Sequence, residues 1–565
     1  MSGVAGAYFN VLTNTMIITL VCSFFVTWIG LPVIYLVLSK PNPGRHFKPV
    51  PVKKRAWVSF FILRPWISFL MIAALIFSIY YVLPRLETGF LPEMNEGSIV
   101  LDYASPPGTS LEETDRLLRE VEKIIRAVPE VSAYSRRTGT QMGFFITEPN
   151  TGDYLIQLNP DRKRTTEEVI AEIRKRVEAS QPALRIDFGQ VITDMLGDLM
   201  TSVQPIEVKI FGENQEQLHA LSKQAAGIIS TVNGTADVFD GIVIAGPSIT
   251  ITPDYGKLAQ FGITPSGLQY QLQTHQEGNV VGEILEKEQE TPIRMVFPNS
   301  RKNTVADISG WQIFLPSGKL NPITNLATVA INPGDAEIQR QDLQSMGVVT
   351  ARLENRDLGS VMKEIQSAIG SRLNLPLGYH VVYGGSFAEQ QQSFSELLFI
   401  LAAASLLVFG VIVFLFNEFV LALMILGISV LGISGSYLAL FITGTPLNVG
   451  SYTGLIMIVG IIAENAIFTI LQFREARRDL SVTDSVTYAI STRLRPKLMT
   501  AFGAIIALMP LALGIGSGAQ LHQPLAIAVI GGFVMALPLL LIVLPSLLRL
   551  IYIRKEKRTL KAQTI

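Results

Sequence analysis

One carboxylate stands alone in the most apolar part of this sequence. Glu464 is the single charged residue between Phe419 and Gln472, and it lies nine residues before Phe473. At the rise of an α-helix that is roughly 14 Å, a long way for a Glu side chain to snorkel. An ionisable group near the middle of a bilayer costs about 2.5–3.5 kcal/mol to insert, so it tends to face the interior of a bundle and to belong to an ion or proton pathway. Two readings follow from the residue itself: Glu464 carries protons, or it pairs structurally with Asn465 or another polar neighbour.

Other residue types invite chemistry less sharply. Asp194, Met195, Asp198 and Met200 fall at helix-like spacing; they either bind a cation or divide into core methionines and solvated aspartates. Arg493 stands at the start of a later apolar stretch with Arg495 and Lys497, where basic residues anchor a helix on the cytoplasmic side. Thr500, early in that helix, suits a hydroxyl bonded back to a carbonyl one turn earlier. Gly450 and Gly454 form a small-xxx-small pair, a helix-packing signal. His46, His219, His275, His380 and His522 show no metal-ligand spacing. Cys22 is the single cysteine, so a disulfide framework within the chain is excluded. No phosphate-binding GxxxxGK[ST] loop occurs, which argues against ATP as an energy source. No hydrolytic triad is indicated, so an enzyme is not expected.

The elements that must position these residues are membrane helices. The 565-residue chain is 49% hydrophobic, 16% charged and has no formal net charge, too apolar for one ordinary soluble fold and without the basic excess that holds nucleic acid. Seven stretches approach the roughly 20 apolar residues a span needs: Val11 to Leu38, Trp66 to Leu83, Leu397 to Phe416, Phe419 to Ile442, Val449 to Phe473, Leu498 to Ile515 and Pro524 to Ile553. The first ten residues lack a basic n-region, so no cleavable signal is expected. Lysines and arginines accumulate in 41–64, around Arg474 to Lys497 and in 554–565. Cytoplasmic flanks carry that excess, so the reading is a first helix (1–40), a basic cytoplasmic loop (41–64), a second helix (65–84), an outside domain (85–395), five clustered helices (396–553) and a basic cytoplasmic tail (554–565).

Within the outside segment, the pattern Ser98 to Ala104, Ser110 to Val128, Val131 to Arg137, Asp153 to Leu158, Thr165 to Ala179 and Leu184 to Phe188 reads βαββαβ. Ser110 and Glu113 form a capping box, and Leu111, Leu118, Val121 and Ile125 share the helix face expected to pack on the sheet. A similar cycle begins at Ile206 and closes near Tyr383, interrupted between Glu277 and Asn332 by an insertion of short strands and Gly/Pro turns.

Several strings, taken together, carry a resemblance: LPEMNEG after the second span, GGSFAEQQQSF before the third, TPLNVGSYTGLIMIVGIIAENAI in the fifth and RLRPKLMTAFGAIIALMPLALGIGSGAQ at the sixth. The chain resembles, over nearly its whole length, the C-terminal half of the resistance-nodulation-division efflux permeases, and GEILEKEQETPIRMVF with LPEMNEG looks closest to the heavy-metal branch. The resemblance implies an α-helical membrane bundle carrying an α+β periplasmic domain of ferredoxin-like porter subdomains with a small docking insertion. It implies a bacterial inner-membrane exporter driven by the proton gradient, with no bound cofactor. It also implies a trimer with a periplasmic adaptor and an outer-membrane channel. Glu464 occupies the place of a lysine in the multidrug branch's proton relay, and Arg493 and Thr500 match that relay's arginine and threonine. Where the metal branch lines its cleft with methionines, this sequence has Asp102, Thr151 and the segment TDMLGDLM, a departure that leaves the substrate unidentified. Family permeases hold two such halves, so a second polypeptide supplying the N-terminal half is expected. The alternative is a non-transporting, truncated or scaffold half.

Overall fold

The computed structural model describes residues 3–38, 56–92, 95–141, 146–191, 204–243, 248–286, 289–297, 304–332, 337–354, 356–516 and 518–563. Asp194, Met195, Asp198 and Met200 lie outside the described residues.

Among them, seven helices are long and apolar enough to cross a membrane: Thr13–Leu38, Pro65–Arg85, Ser386–Phe416, Phe419–Thr443, Val449–Ala476, Val482–Ala512 and Ala519–Lys557. They are called the first to seventh spans below. Two are longer than the apolar runs that mark them. The third begins at Ser386, eleven residues before Leu397, and the sixth at Val482, where the side chain of Ser481 accepts from the Asp484 amide and caps the helix. Polar residues can continue a helix beyond the hydrocarbon, so hydropathy alone reads both starts late.

The fourth, fifth and seventh spans make the centre of the bundle. Gly435 and Gly531 let the fourth and seventh approach until a Cβ on Gly435 would lie 2.3 Å from the Gly531 carbonyl oxygen, the close backbone contact small residues permit. The buried Ser436 hydroxyl donates across the same contact to the Ala528 carbonyl (2.6 Å). Gly454 packs the fifth span against Ala528 and Leu525, and Gly450 is buried on the same helix. At the opposite end, Glu418 accepts from Arg474 (3.2 Å) and the Tyr552 hydroxyl (3.1 Å). That pairing ties together the short turn between the third and fourth spans, the end of the fifth and the C-terminal helix. The first span stands apart, with none of its most apolar window buried.

Between the second and third spans lie two α/β units and an inserted unit. The first has strands β1 (Ser98–Ala104), β2 (Val131–Thr138), β3 (Thr151–Leu158) and β4 (Arg185–Gly189), with helices Leu111–Arg126 and Thr166–Ser180. Its sheet order is β2-β3-β1-β4. Ile99, Leu101 and Tyr103 alternate along β1 and meet Leu118, Val121, Ile125, Val169, Ile173 and Val177 in one core. Leu111 departs from the expected face: it is exposed, and Thr114 is buried on the first turn instead.

The second unit has β5 (Ile206–Phe211), β6 (Thr235–Phe239), the inserted strands β7 (Ser248–Pro253), β8 (Asn279–Glu286), β9 (Gln289–Met295), β10 (Gln312–Phe314), β11 (Leu320–Pro322) and β12 (Ala327–Asn332), and then β13 (Gln339–Gln341), β14 (Gln344–Leu353) and β15 (His380–Gly384). Its own sheet runs β13-β14-β5-β15, with β6 on β14. The inserted unit starts at β7, earlier than its turn composition suggests, and holds a separate core of Leu258, Ile263, Leu268, Ile313, Ile323 and Leu326. β15 turns directly into the third span through Gly385, at φ +75°, where a Cβ would lie 2.6 Å from the Pro205 carbonyl oxygen; only glycine satisfies both conditions.

Candidate functional site

Three polar residues of the bundle, Asn465, Lys497 and Thr500, line a cavity where the fifth, sixth and seventh spans meet. The fifth starts at a reciprocal cap, the Asn448 side chain accepting from the Ser451 amide (3.0 Å) while the Ser451 hydroxyl accepts from the Asn448 amide (3.2 Å). From that start the helix presents Ile458, Ile462, Ala463, Ala466 and Ile470 to the core.

Glu464 falls on the other side. It is exposed, on a face shared with the exposed Phe468 and Leu471 one and two turns on. Within this chain the carboxylate therefore does not face a bundle interior, as its depth in the apolar run suggests. Nor does it draw the Asn465 amide, which donates to the Ile461 carbonyl (3.0 Å).

The charge turned inward is on the sixth span. Lys497 is 5% exposed, and its ammonium has no hydrogen-bond partner among the described residues. It borders a small cavity with Asn465, Thr500, Phe533 and Leu540. Lys497 is thus not a cytoplasmic anchor like Arg495, which is exposed. The helical period explains why: Val486, Ile490, Lys497 and Ala501 lie on one buried stripe of the sixth span. That signal is present in the sequence, but hydropathy ranks Lys497 as the edge of a span rather than as part of its face. An ammonium buried without a counter-charge pays a desolvation cost that nothing among the described residues offsets, so the site fits a second charge or a proton-dependent partner.

Of the two other relay candidates, Thr500 sits at the rim of this cavity, its hydroxyl donating to the Lys497 carbonyl (3.1 Å). The Arg493 guanidinium lies 5.5 Å from the centre of the Phe468 ring, one helical turn from Glu464, with its Nε buried and without an acceptor among the described residues. Lys497, Asn465 and Thr500 are therefore gathered at the cavity, while Glu464 and Arg493 lie towards the outer face of the fifth span.

In the first α/β unit, Asp102 stands directly opposite Asp153 on one neighbouring strand and Asp187 on the other. Like charges opposite each other repel, and arginines at both ends of the row answer that repulsion. Arg137 makes two bonds to the fully buried Asp153 (2.7 and 2.9 Å). Arg352 holds Asp187, with Gln204 donating to the same carboxylate (2.7 Å). Gln141 faces Asp102 at 3.4 Å. Thr151, the other residue of interest here, opens β3 and donates its hydroxyl to the Glu148 carbonyl (3.1 Å).

Comparison with known proteins adds to this geometry. Residues 1–552 match the model of the AcrB/AcrD/AcrF family. The chain is 28% identical over 582 aligned positions to the cobalt-zinc-cadmium resistance protein CzcA of Cupriavidus metallidurans, covering 98% of this chain and 54% of that protein. It is 23% identical to the cation efflux system protein CusA of Escherichia coli K12, covering 91% and 50%. A crystal structure of a heavy metal efflux pump superposes with a TM-score of 0.76 at 25% identity, over 88% of this chain and 51% of that one. The chain spans about half the length of the curated relatives it matches.

Proposed function

The chain belongs to the AcrB/AcrD/AcrF family, resistance-nodulation-division permeases that are multi-pass inner-membrane secondary transporters rather than enzymes, and from that premise we propose that it is the C-terminal half of a proton-driven exporter of metal cations. The buried, unpartnered Lys497 ammonium beside Asn465 and Thr500 carries the proposal. A basic group buried inside an apolar bundle suits the coupling of proton movement to helix packing, a role that a passive scaffold does not call for. The names of the relatives supply the cargo class, divalent and related metal cations.

The exposed, apolar face around Glu464 and Phe468, together with the unpacked first span, supports a second membrane bundle covering this side. In that setting Glu464, Arg493, Lys497 and Thr500 form the relay across the junction of the two bundles. We place the large domain in the periplasm and the C-terminus in the cytoplasm, and the working assembly is a trimer with a periplasmic adaptor and an outer-membrane channel. Asp194, Met195, Asp198 and Met200 remain cleft candidates on chemistry alone.

The test is Zn²⁺- or Co²⁺-dependent proton flux in everted vesicles carrying the full natural assembly. Glu464→Gln and Lys497→Met are expected each to abolish flux while leaving assembly intact. Unchanged flux in both variants would overturn the relay; assembly with no metal-dependent flux in the unsubstituted protein would leave the scaffold reading.

A further inference from the structure

The first and second α/β units do not share a hydrophobic core; each closes its own. What joins them is charge, exchanged in both directions. From the second unit, Arg352 on β14 reaches Asp187 on β4, with its Nη2 3.1 Å from the carboxylate. From the first, Arg174 on helix Thr166–Ser180 donates to Asp237 on β6 at 2.8 Å. Each unit thus contributes one arginine and one aspartate. The Arg185 guanidinium of the first unit also lies 4.1 Å from the centre of the Phe239 ring of the second.

The backbone is shaped for this contact. Pairing of β6 with β14 shifts register between Phe239 and Ala236, and Asp237 within that irregularity has φ +50°. Such a bulge re-aims a side chain out of the ladder, and aspartate is among the few residues that tolerate the left-handed conformation. All four charged side chains are largely withdrawn from water, their exposures being 13% and 25% for Arg352 and Asp187, and 18% and 11% for Arg174 and Asp237.

We propose that Arg352–Asp187 and Arg174–Asp237 form a reciprocal clasp that locks the two α/β units together, and that both pairs must part for the units to separate. A joint of this kind differs physically from an apolar one. Burying opposite charges costs nearly as much desolvation as their attraction returns, so the closed and separated arrangements lie close in free energy. Polar joints between domains allow relative motion where large apolar ones resist it. Because the donors and acceptors are crossed, a sideways slip cannot preserve either pair, and the joint is either engaged or released.

The experiment is hydrogen exchange on the full chain in detergent micelles, comparing peptides covering β4 and β6 with peptides covering the core strands β1 and β5. Asp187→Arg and Arg352→Asp are each expected to speed exchange in β4 and β6 by about tenfold or more while β1 and β5 keep their protection. The double reversal, Asp187→Arg with Arg352→Asp, is expected to restore the slow rate. Arg174→Asp, which reverses the charge in the other pair, should loosen the same two strands alone. Unchanged exchange in the single variants, no recovery in the double reversal, or equal loss of protection in β1 and β5 would each overturn the clasp.

Discussion

Lys497 and Asn465 border one small cavity inside the membrane bundle, while Glu464, the residue adjacent to Asn465, is turned to the opposite face. A single step along a helix rotates a side chain by about 100°, and here that step separates an inward polar group from an outward carboxylate. The ammonium is consequently buried without an anion beside it among the described residues.

Lys497→Met should therefore raise the stability of the isolated chain, by on the order of 1–3 kcal/mol, since an apolar side chain of similar length removes an uncompensated charge. Thermal unfolding in detergent checks this. Glu464→Gln, at an exposed site, should leave the same transition within about 0.5 kcal/mol.

The contact between the fourth and seventh spans has no room for a side chain. Gly435→Val must push the Gly531 carbonyl away and should cost about 1–3 kcal/mol or prevent folding. Gly460→Ala, with nothing within 4 Å of its added Cβ, should be tolerated. Yield of monodisperse protein after extraction distinguishes the two.

Arg137→Gln should cost about 3–5 kcal/mol, because it removes two charge-assisted bonds from the carboxylate of fully buried Asp153. Denaturant unfolding followed by hydrogen exchange in β2 and β3 measures it. Arg116→Gln, on an exposed pair within one helix, should change little.

The response to pH should divide between the two α/β units. Hydrogen bonding from Arg136 holds the Asp115 carboxyl below its ordinary 3.8. Its contribution is present above 3.8 and lost as pH falls through the depressed value. Burial pushes Asp237 the other way, above 3.8, against the opposing pull of Arg174. Its contribution is full below 3.8 and lost as pH rises through the elevated value. Hydrogen exchange corrected for intrinsic rate should show β6 gaining protection as pH falls towards 3.8, and helix Leu111–Arg126 losing it below that.

Much of the architecture is legible along the chain because it rests on local regularities. The βαββαβ order of the first unit follows from short apolar runs such as Ile99-Val100-Leu101 and from the cap at Ser110. Elsewhere local pattern misleads for identifiable reasons. The inserted unit begins at β7 because Leu258, Ile263 and Leu268 serve a core completed by Ile313 and Leu326, more than forty residues later. The third and sixth spans start early because polar residues extend helices beyond the apolar run.

By itself the sequence determined which segments are apolar enough to cross a membrane, which periodicities make helices and strands, and that one carboxylate sits deep in an uncharged run. Each of these depends on neighbours within a turn or a strand. Only the tertiary structure decided that Glu464 faces outward while Lys497 faces inward, that Gly435 meets Gly531, and that Arg352 and Arg174 cross between units to reach Asp187 and Asp237. Those relationships depend on the rotation and approach of whole elements, which packing sets and which no local stretch of sequence encodes.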